Sequence, residues 1–364
     1  MGKPTVLFFS EVNWDYLKQR HHFFAESYKK KGHEVIYIGK IGLRYPKANE
    51  LFDLLKFKKG QKKYNVVKTN DITLYNGFFL PPINFFFNLL NKIIFLKRFT
   101  KSLSGNKVII HYYQPTDLII ALIKRLKNFN YEITLIYDCV QDYRFHPSRV
   151  KGLLKNEEDL AVRCKVNLAD SIVNFDRLPP TNKILIPPGV DTDHFKIRAH
   201  GVTSTPIRKI LYYGNIRQDL DIELINQIGS SKNFELTLIG LLNIERKYIH
   251  SSVEILNSVD YHELPDIIQN YDALILPYDI KSPFTKAIIP AKFFECICTG
   301  LPVLSTKMES TKEYHKYLTI VSSETDFDNL QINSLNKEEV QSIKALINLS
   351  SWENRFENFY REIK

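Results

Sequence analysis

The sequence predicts an α/β protein built twice over, as two domains that each carry a parallel sheet with helices returning between strands. Three observations carry this. VLFFS (6–10) and EVIYIG (34–39) read as buried parallel strands, with a helix over about 16–31 that stops at Gly32; this is a right-handed crossover unit. The same plan restarts at KILYYGNIRQDLD (209–221), just beyond AHGVTSTP (199–206), whose Ser/Thr/Gly/Pro content marks a boundary. Finally, 364 residues are long for one domain and natural for two.

Composition narrows the class. The chain is 44% hydrophobic and 25% charged, the balance of an ordinary globular protein. Cys139, Cys164, Cys296 and Cys298 form no C-x-x-C pair and no zinc pattern, so reduced thiols in a cytoplasmic setting and no zinc site are expected. The opening MGKPTVLFFSEVNW has too short an apolar run for a signal peptide, and no window nears the roughly 18 apolar residues of a spanning helix. Charge is uneven. Residues 1–200 carry 33 Lys+Arg against 18 Asp+Glu, whereas the remainder is mildly acidic. Only the first half is therefore expected to meet an anionic surface. Nucleic acid is not the expected partner, because no zinc-finger, RNP or helix-turn-helix signature is present.

In the first half, Arg20 and His21 lie in the loop and helix start N-W-D-Y-L-K-Q-R-H, where they either meet a phosphate or form a solvated face. Lys47, Lys56, Lys58, Lys59, Lys62, Lys63 and Lys68 precede INFFFNLLNKIIFLKRF (83–99), an apolar, aromatic stretch with a basic end. It reads either as a core helix with a solvated end or as a surface lying on anionic headgroups. KVIIHYYQPTD (107–117) is a strand followed by a loop with His111, Tyr112, Gln114 and Asp117. In ITLIYDCVQDYRFHP (133–147), ITLIY is a buried strand, so Asp138 falls at its carboxyl end, where clefts of open α/β sheets lie. Asp142, Arg144 and His146 follow. Asp138 either lines such a cleft or caps the next turn. Residues 156–178 read as helix, turn and strand.

In the second half, FELTLIG (234–240) and VEIL (253–256) are further strands. The densest chemistry lies in PYDIKSPFTKAIIPAKFFECICTGLPVLS (277–305), read as strand end, loop, short helix and strand. Pro290 suits the first turn of that helix, and Gly300 with Pro302 suits its stop. Phe293, Phe294 and Ile297 would face the core, with Lys292 and Glu295 on the other face. A lysine near a helix N-terminus suits a phosphate, and a carboxylate one turn on suits the paired hydroxyls of a ribose. The same spacing also fits a surface Lys–Glu pair. In SWENRFENFYREI (351–363), Trp352, Phe356, Phe359, Tyr360 and Ile363 form one helical stripe.

P-x-K-F-x-E followed by T-G-L-P-V resembles the donor-site signature of GT-B glycosyltransferases, above all glycosyltransferase family 4 and related bacterial cell-envelope enzymes. ILIPPGVDTDHF (184–195) resembles the family's P-x-G-V-D-x-x-x-F loop, and SVDYHELPDIIQ (258–269) its G-x-V-x-x-x-E-L-P segment near the nucleotide base. The loop N-W-D-Y-L-K-Q-R-H is similar to the family's first loop, on the acceptor side. The resemblance implies two Rossmann-like domains facing across a cleft. Residues 1–200 would take the acceptor, 201–345 would take the nucleotide sugar, and a last helix (346–364) would cross back. It implies transfer of a sugar, with retention, from a UDP- or GDP-linked donor to a glycan or lipid-linked envelope, capsule or lipopolysaccharide precursor. No cofactor or bound metal is implied, and the protein would sit in the cytoplasm, peripheral on the inner membrane face. Glu295 would bind the ribose and Lys292 the diphosphate, with Tyr261 beside the base. Y-D-C-x-Q-D-Y is similar to a cleft segment of some relatives. Asp142, Asp138 and His111 are the catalytic candidates there, for activating an acceptor hydroxyl or steadying charge on the donor sugar. The chain departs from the family at Asn215, in place of an arginine after Gly214; at Asp219 and Asp221, near an expected lysine; and at Ala287, in place of a first glutamate. Arg217 would supply the missing charge, and Ser282, Thr285 or Lys286 the sugar contacts. The rival functions are a nucleotide-sugar epimerase of the same fold and a binding-only protein.

Overall fold

The computed structural model describes residues 3–39, 66–69, 71–75, 105–146, 152–196 and 207–364, with single positions at 89, 92, 93, 96 and 103; for 66–69 only the backbone is described. The described chain falls into two compact units. One holds residues 1–170, 174–186 and 356–364, and the other holds 171–173 and 187–355. The lysine-rich stretch over 47–63, most of the aromatic stretch over 83–99 and the boundary at 199–206 lie outside the described residues.

The first unit is built on eight strands, in the order β3-β4-β2-β1-β5-β6-β7-β8. They are β1 (Thr5–Phe9), β2 (Val35–Ile38), β3 (Val66–Thr69), β4 (Ile72–Tyr75), β5 (Lys107–Tyr112), β6 (Glu132–Cys139), β7 (Val166–Ala169) and β8 (Lys183–Leu185). Every pairing is parallel except β3 with β4. Successive strands run outward from β1 on one side and then from β5 on the other. The order therefore reverses between β1 and β5, which is where open α/β sheets hold ligands, beyond the strands' carboxyl ends. The near-continuous apolar composition of β1 and β2 fits strands covered on both faces, and all their residues are buried.

The second unit repeats the plan with β11-β10-β9-β12-β13-β14, all parallel. These are β9 (Lys209–Tyr213), β10 (Glu235–Ile239), β11 (Glu254–Leu256), β12 (Ala273–Leu276), β13 (Val303–Ser305) and β14 (Thr319–Ile320). Its switch point lies between β9 and β12. Phe293, Phe294 and Ile297 are fully buried in its core, as the helical spacing predicts.

Several boundaries differ from the sequence reading. The first helix spans Arg20–Lys30 and not 16–31, because residues 11–19 form a loop that closes where the Gln19 amide donates to His22 Nδ1 at 3.2 Å. Arg20 and His21 are buried, so neither forms a solvated face. Asp138 lies within β6, paired with Leu168 of β7, and caps no turn. Pro290 precedes the short helix Phe293–Cys298 and is not in its first turn; its carbonyl accepts from the Phe293 amide at 2.9 Å. Gly189 has no left-handed backbone. A Cβ there would lie 2.6 Å from the Trp352 ring, so glycine is required for space and not for a turn. A helix over Lys337–Ser350 was not anticipated; Asn336 and Glu339 close its N-terminus with reciprocal side-chain bonds of 2.9 and 2.7 Å. The stripe on the last helix, Trp352–Ile363, is buried at Trp352, Phe356, Phe359 and Tyr360. Its residues from Phe356 onward belong to the first unit, where Phe356 lies edge-on to Tyr28.

Candidate functional site

In the second unit, the carboxyl end of the central strand β9 runs through Tyr212 and Tyr213 into Gly214. Gly214 has a φ of +125°, and a side chain there would collide with the Lys292 ammonium, so only glycine lets this backbone approach Lys292. Lys292 Nζ donates to the Tyr212 hydroxyl at 3.1 Å and sits 4.3 Å from the Tyr212 ring centroid and 5.7 Å from that of Tyr213. Burial opposes its charge, but the Tyr278 and Tyr212 hydroxyls beside it hold the ammonium protonated. Lys292 makes no ion pair among the described residues. It is a half-buried cation cradled by aromatic faces, a favourable electrostatic setting that leaves its charge unneutralised. Lys292 caps a helix of only six residues, so the ammonium, and not a helix dipole, supplies the positive field.

Glu295 lies one turn further on and is half-buried. Burial pushes its carboxyl up to about 7, against the lowering influence of Lys292 and of the Tyr213 hydroxyl, which donates to Oε2 at 3.3 Å. Asp191, from the 187–195 loop, adds to the upward push. Tyr261 is half-buried near these acids. Its ring stacks on His194 at 4.1 Å and 18°, and its carbonyl accepts from His194 Nε2 at 2.8 Å. The structure thus gathers Gly214, Lys292 and Glu295 at the switch point of one sheet, with Tyr261 near Glu295.

Other candidates are held elsewhere. Arg217 is exposed and paired with Asp219, with Nε 3.2 Å from Oδ1. Asp221 caps the helix Ile222–Ser230, accepting from the Leu224 amide at 2.9 Å, so it serves the backbone. Thr285 is fully buried, and its hydroxyl serves the loop by bonding to the Asp279 and Ser282 carbonyls. Ser282 opens the short helix Pro283–Ala287.

In the first unit, Asp138 is fully buried. Its carboxylate accepts from Arg20 Nε and Nη2, each at 2.8 Å, and from His111 Nε2 at 3.3 Å. Burial opposes its ionisation, but the Arg20 guanidinium and the His111 bond hold the carboxyl well below the usual range. Arg20 Nη1 donates to the Ile186 carbonyl at 2.7 Å, and His111 Nδ1 meets the Tyr28 hydroxyl at 3.1 Å. Burial keeps His111 neutral by lowering its pKa. Asp142 lies beyond β6 and is covered by Arg144, with Nε and Nη2 2.6–3.1 Å from its oxygens. Burial resists its charge, but the Arg144 bonds hold its carboxyl below the ordinary value.

Glu11 had no role in the sequence reading. It stands just past β1, and its Oε1 accepts from Gln141 Nε2 at 2.6 Å and from the Tyr143 hydroxyl at 2.5 Å. Burial pushes its carboxyl up to about 7 against those bonds. Tyr212 and Tyr213 were missed as well. The Y-Y-G run at the end of β9 was visible, but nothing in it showed that Lys292 would lie on those rings.

No protein-family model matches the chain, and no curated protein sequence does. Solved structures match it along nearly its whole length, and they define the class: the chain has the fold of GT-B glycosyltransferases, with two parallel-stranded α/β units. AviGT4, a glycosyltransferase involved in avilamycin A biosynthesis, is 13% identical with a TM-score of 0.57, over 98% of this chain and 96% of its own. The apo structure of OtsA is 10% identical with a TM-score of 0.64, over 100% and 99%. An α,α-trehalose 6-phosphate synthase from Burkholderia multivorans is 9% identical with a TM-score of 0.61, over 100% and 98%.

Proposed function

We propose that this chain is a glycosyltransferase that takes a nucleotide-diphosphate sugar, UDP- or GDP-linked, and transfers the sugar to a glycan or lipid-linked envelope precursor. The observation that carries the reading is Lys292. It is a half-buried ammonium that makes no ion pair among the described residues, set on Tyr212 beside the Gly214 backbone at a sheet's switch point, with Glu295 one turn away and within reach of its field. A diphosphate supplies the missing charge, and Glu295 accepts from the ribose hydroxyls. As the sugar leaves, negative charge grows on the diphosphate, so a fixed ammonium stabilises departure more than ground-state binding.

Retention at the anomeric carbon is part of the proposal, as are a cytoplasmic setting and peripheral contact with anionic membranes. No helix among the described residues is long and apolar enough to cross a membrane. Membrane contact rests on the basic excess of residues 1–200. Flotation with anionic vesicles should weaken as salt rises, and equal flotation with neutral vesicles would remove this part of the reading.

Calorimetric titration with UDP, GDP, UMP and uridine tests the donor site. A charged contact contributes roughly 1.5–3 kcal/mol, so Lys292→Ala should weaken the diphosphates about 10- to 150-fold and leave uridine almost untouched. Equal affinity of wild type and variant for every nucleotide would overturn the assignment. A binding-only reading draws on Arg217, the other cation proposed for the phosphates, being tied to Asp219. Release of free sugar from a donor without acceptor decides between enzyme and binder.

A further inference from the structure

The loops after β1 and β5 meet at the first unit's switch point, and what they present is an acid that makes no ion pair among the described residues. Glu11 is half-buried there. Tyr143 and Gln141, from the loop after β6, converge on its Oε1, and Gln114, from the loop after β5, lies beside the same carboxylate. Tyr143 also donates to the Tyr113 carbonyl at 3.0 Å, which ties the loop after β6 to the end of β5. Among the described residues, the basic side chains nearby are already paired: Arg144 with Asp142 and Arg177 with Glu157. Arg20 is committed to both oxygens of Asp138 and to the Ile186 carbonyl. His21, its ring 3.8 Å from that of Tyr113 and tilted by 33°, is buried, and burial lowers its pKa so that it is neutral.

A carboxylate flanked by two amides and a phenol offers planar, directional partners for adjacent hydroxyls. Above about pH 7, where Glu11 is ionised, a phosphate would meet a like charge with no unpaired cation beside it among the described residues to offset it, which is a built-in discrimination against phosphorylated ligands.

We infer that Glu11, positioned by Gln114, Gln141 and Tyr143, is a specificity-determining residue that seats the hydroxyls of an uncharged sugar acceptor and excludes a phosphorylated one. The inference rests on the transferase reading for the word acceptor, but the hydroxyl seat can be measured without it.

Saturation-transfer NMR with methyl α-glucoside, methyl α-galactoside, methyl α-mannoside and glucose 6-phosphate tests it on the full chain. At least one neutral hexoside should give a signal with wild type, and glucose 6-phosphate should give none. Glu11→Gln should weaken the hexoside about 10-fold or more, since a bond to a charged acceptor is lost. Glu11→Arg should reverse the preference toward glucose 6-phosphate. Thermal melts confirm that both variants fold. Should Glu11→Arg fail to fold, Glu11→Gln and the wild-type preference still decide. A wild-type preference for glucose 6-phosphate, no signal from any hexoside, or unchanged hexoside binding in Glu11→Gln each overturns the inference. UDP and GDP titration of the same Glu11→Gln sample separates the two readings. Intact nucleotide affinity with unchanged hexoside binding sinks only the acceptor seat. Hexoside loss in a protein that binds no nucleotide in any form sinks only the donor reading.

Discussion

Arg20 grips Asp138 with two parallel bonds of 2.8 Å, Nε to Oδ2 and Nη2 to Oδ1, and both side chains are buried inside the first unit. A fork-to-fork pair of this kind fixes geometry as well as charge. It also gives Asp138 a structural occupation, because both carboxylate oxygens are engaged by the chain itself.

Asp138→Asn should therefore destabilise the fold. The variant leaves a buried guanidinium without its counter-charge, which typically costs about 3–5 kcal/mol. Urea melts of wild type, Asp138→Asn and an Arg20→Met/Asp138→Leu double variant measure this. The double variant should recover much of the loss, because no uncompensated charge remains. The pH dependence has a definite sign. Asp138 is depressed in the fold, so its contribution is present above the unfolded aspartate pKa and is lost as pH falls below it toward the folded value. A single variant as stable as wild type would show that the pair contributes little.

Gly189 should not tolerate even a methyl group. A Cβ there would sit 2.6 Å from the Trp352 ring and 3.1 Å from the Ser350 carbonyl, so something must move. Overpacking of this kind costs about 1–3 kcal/mol. Gly189→Ala should lower the urea midpoint, and adding Trp352→Leu should return part of the loss. Additive effects of the two substitutions would argue against a direct clash.

These two cases show what the sequence could and could not carry. The alternation of apolar runs with helical spacing placed the strands well, because a buried parallel strand must be apolar on both faces. The N-x-x-E cap at Asn336 was equally visible and went unused. The Gly214, Lys292 and Glu295 cluster was legible in part, since Lys292 and Glu295 share one short helix. The Arg20–Asp138 pair was not, because its members lie 118 residues apart and only the β1–β5–β6 adjacency brings them together. Glu11 stayed hidden for the same reason, with partners 130 and 132 residues away. Asp142 is one of the three catalytic candidates the sequence offers. Its Arg144 clamp holds it ionised, and a carboxylate below the usual range is a poor proton acceptor at neutral pH.

Arg217 and Lys292 should behave differently although both were assigned to the diphosphate. Arg217 is exposed and paired with Asp219, whereas Lys292 makes no ion pair among the described residues. An exposed ion pair contributes about 0–1 kcal/mol. Arg217→Ala should change UDP or GDP affinity less than about 5-fold, against at least 10-fold for Lys292→Ala. Equal losses in calorimetry would mean that Arg217 leaves Asp219 to meet the ligand.

Glu295 should make nucleotide binding depend on pH near neutrality. Its carboxyl is pushed up to about 7 by burial, against the pull of Lys292 and Tyr213. Above that value the ionised group accepts from two ribose hydroxyls; below it one oxygen carries a proton and its acceptor capacity falls. Affinity for UDP or GDP should therefore drop as pH falls from 8 to 6, and Glu295→Gln should be weaker than wild type at pH 8 and nearly flat across the range. Stability runs the other way. The folded chain binds the proton more readily than the unfolded one between about pH 4.5 and 7, so this residue's contribution to stability falls as pH rises through that window, by at most about 1.4 kcal/mol per unit. Measuring affinity and thermal stability on the same samples separates the two effects, because an acid-induced loss of binding caused by unfolding would be accompanied by a lower melting temperature. Nucleotide affinity that stays constant from pH 8 to 6 in wild type would remove Glu295 from the ribose.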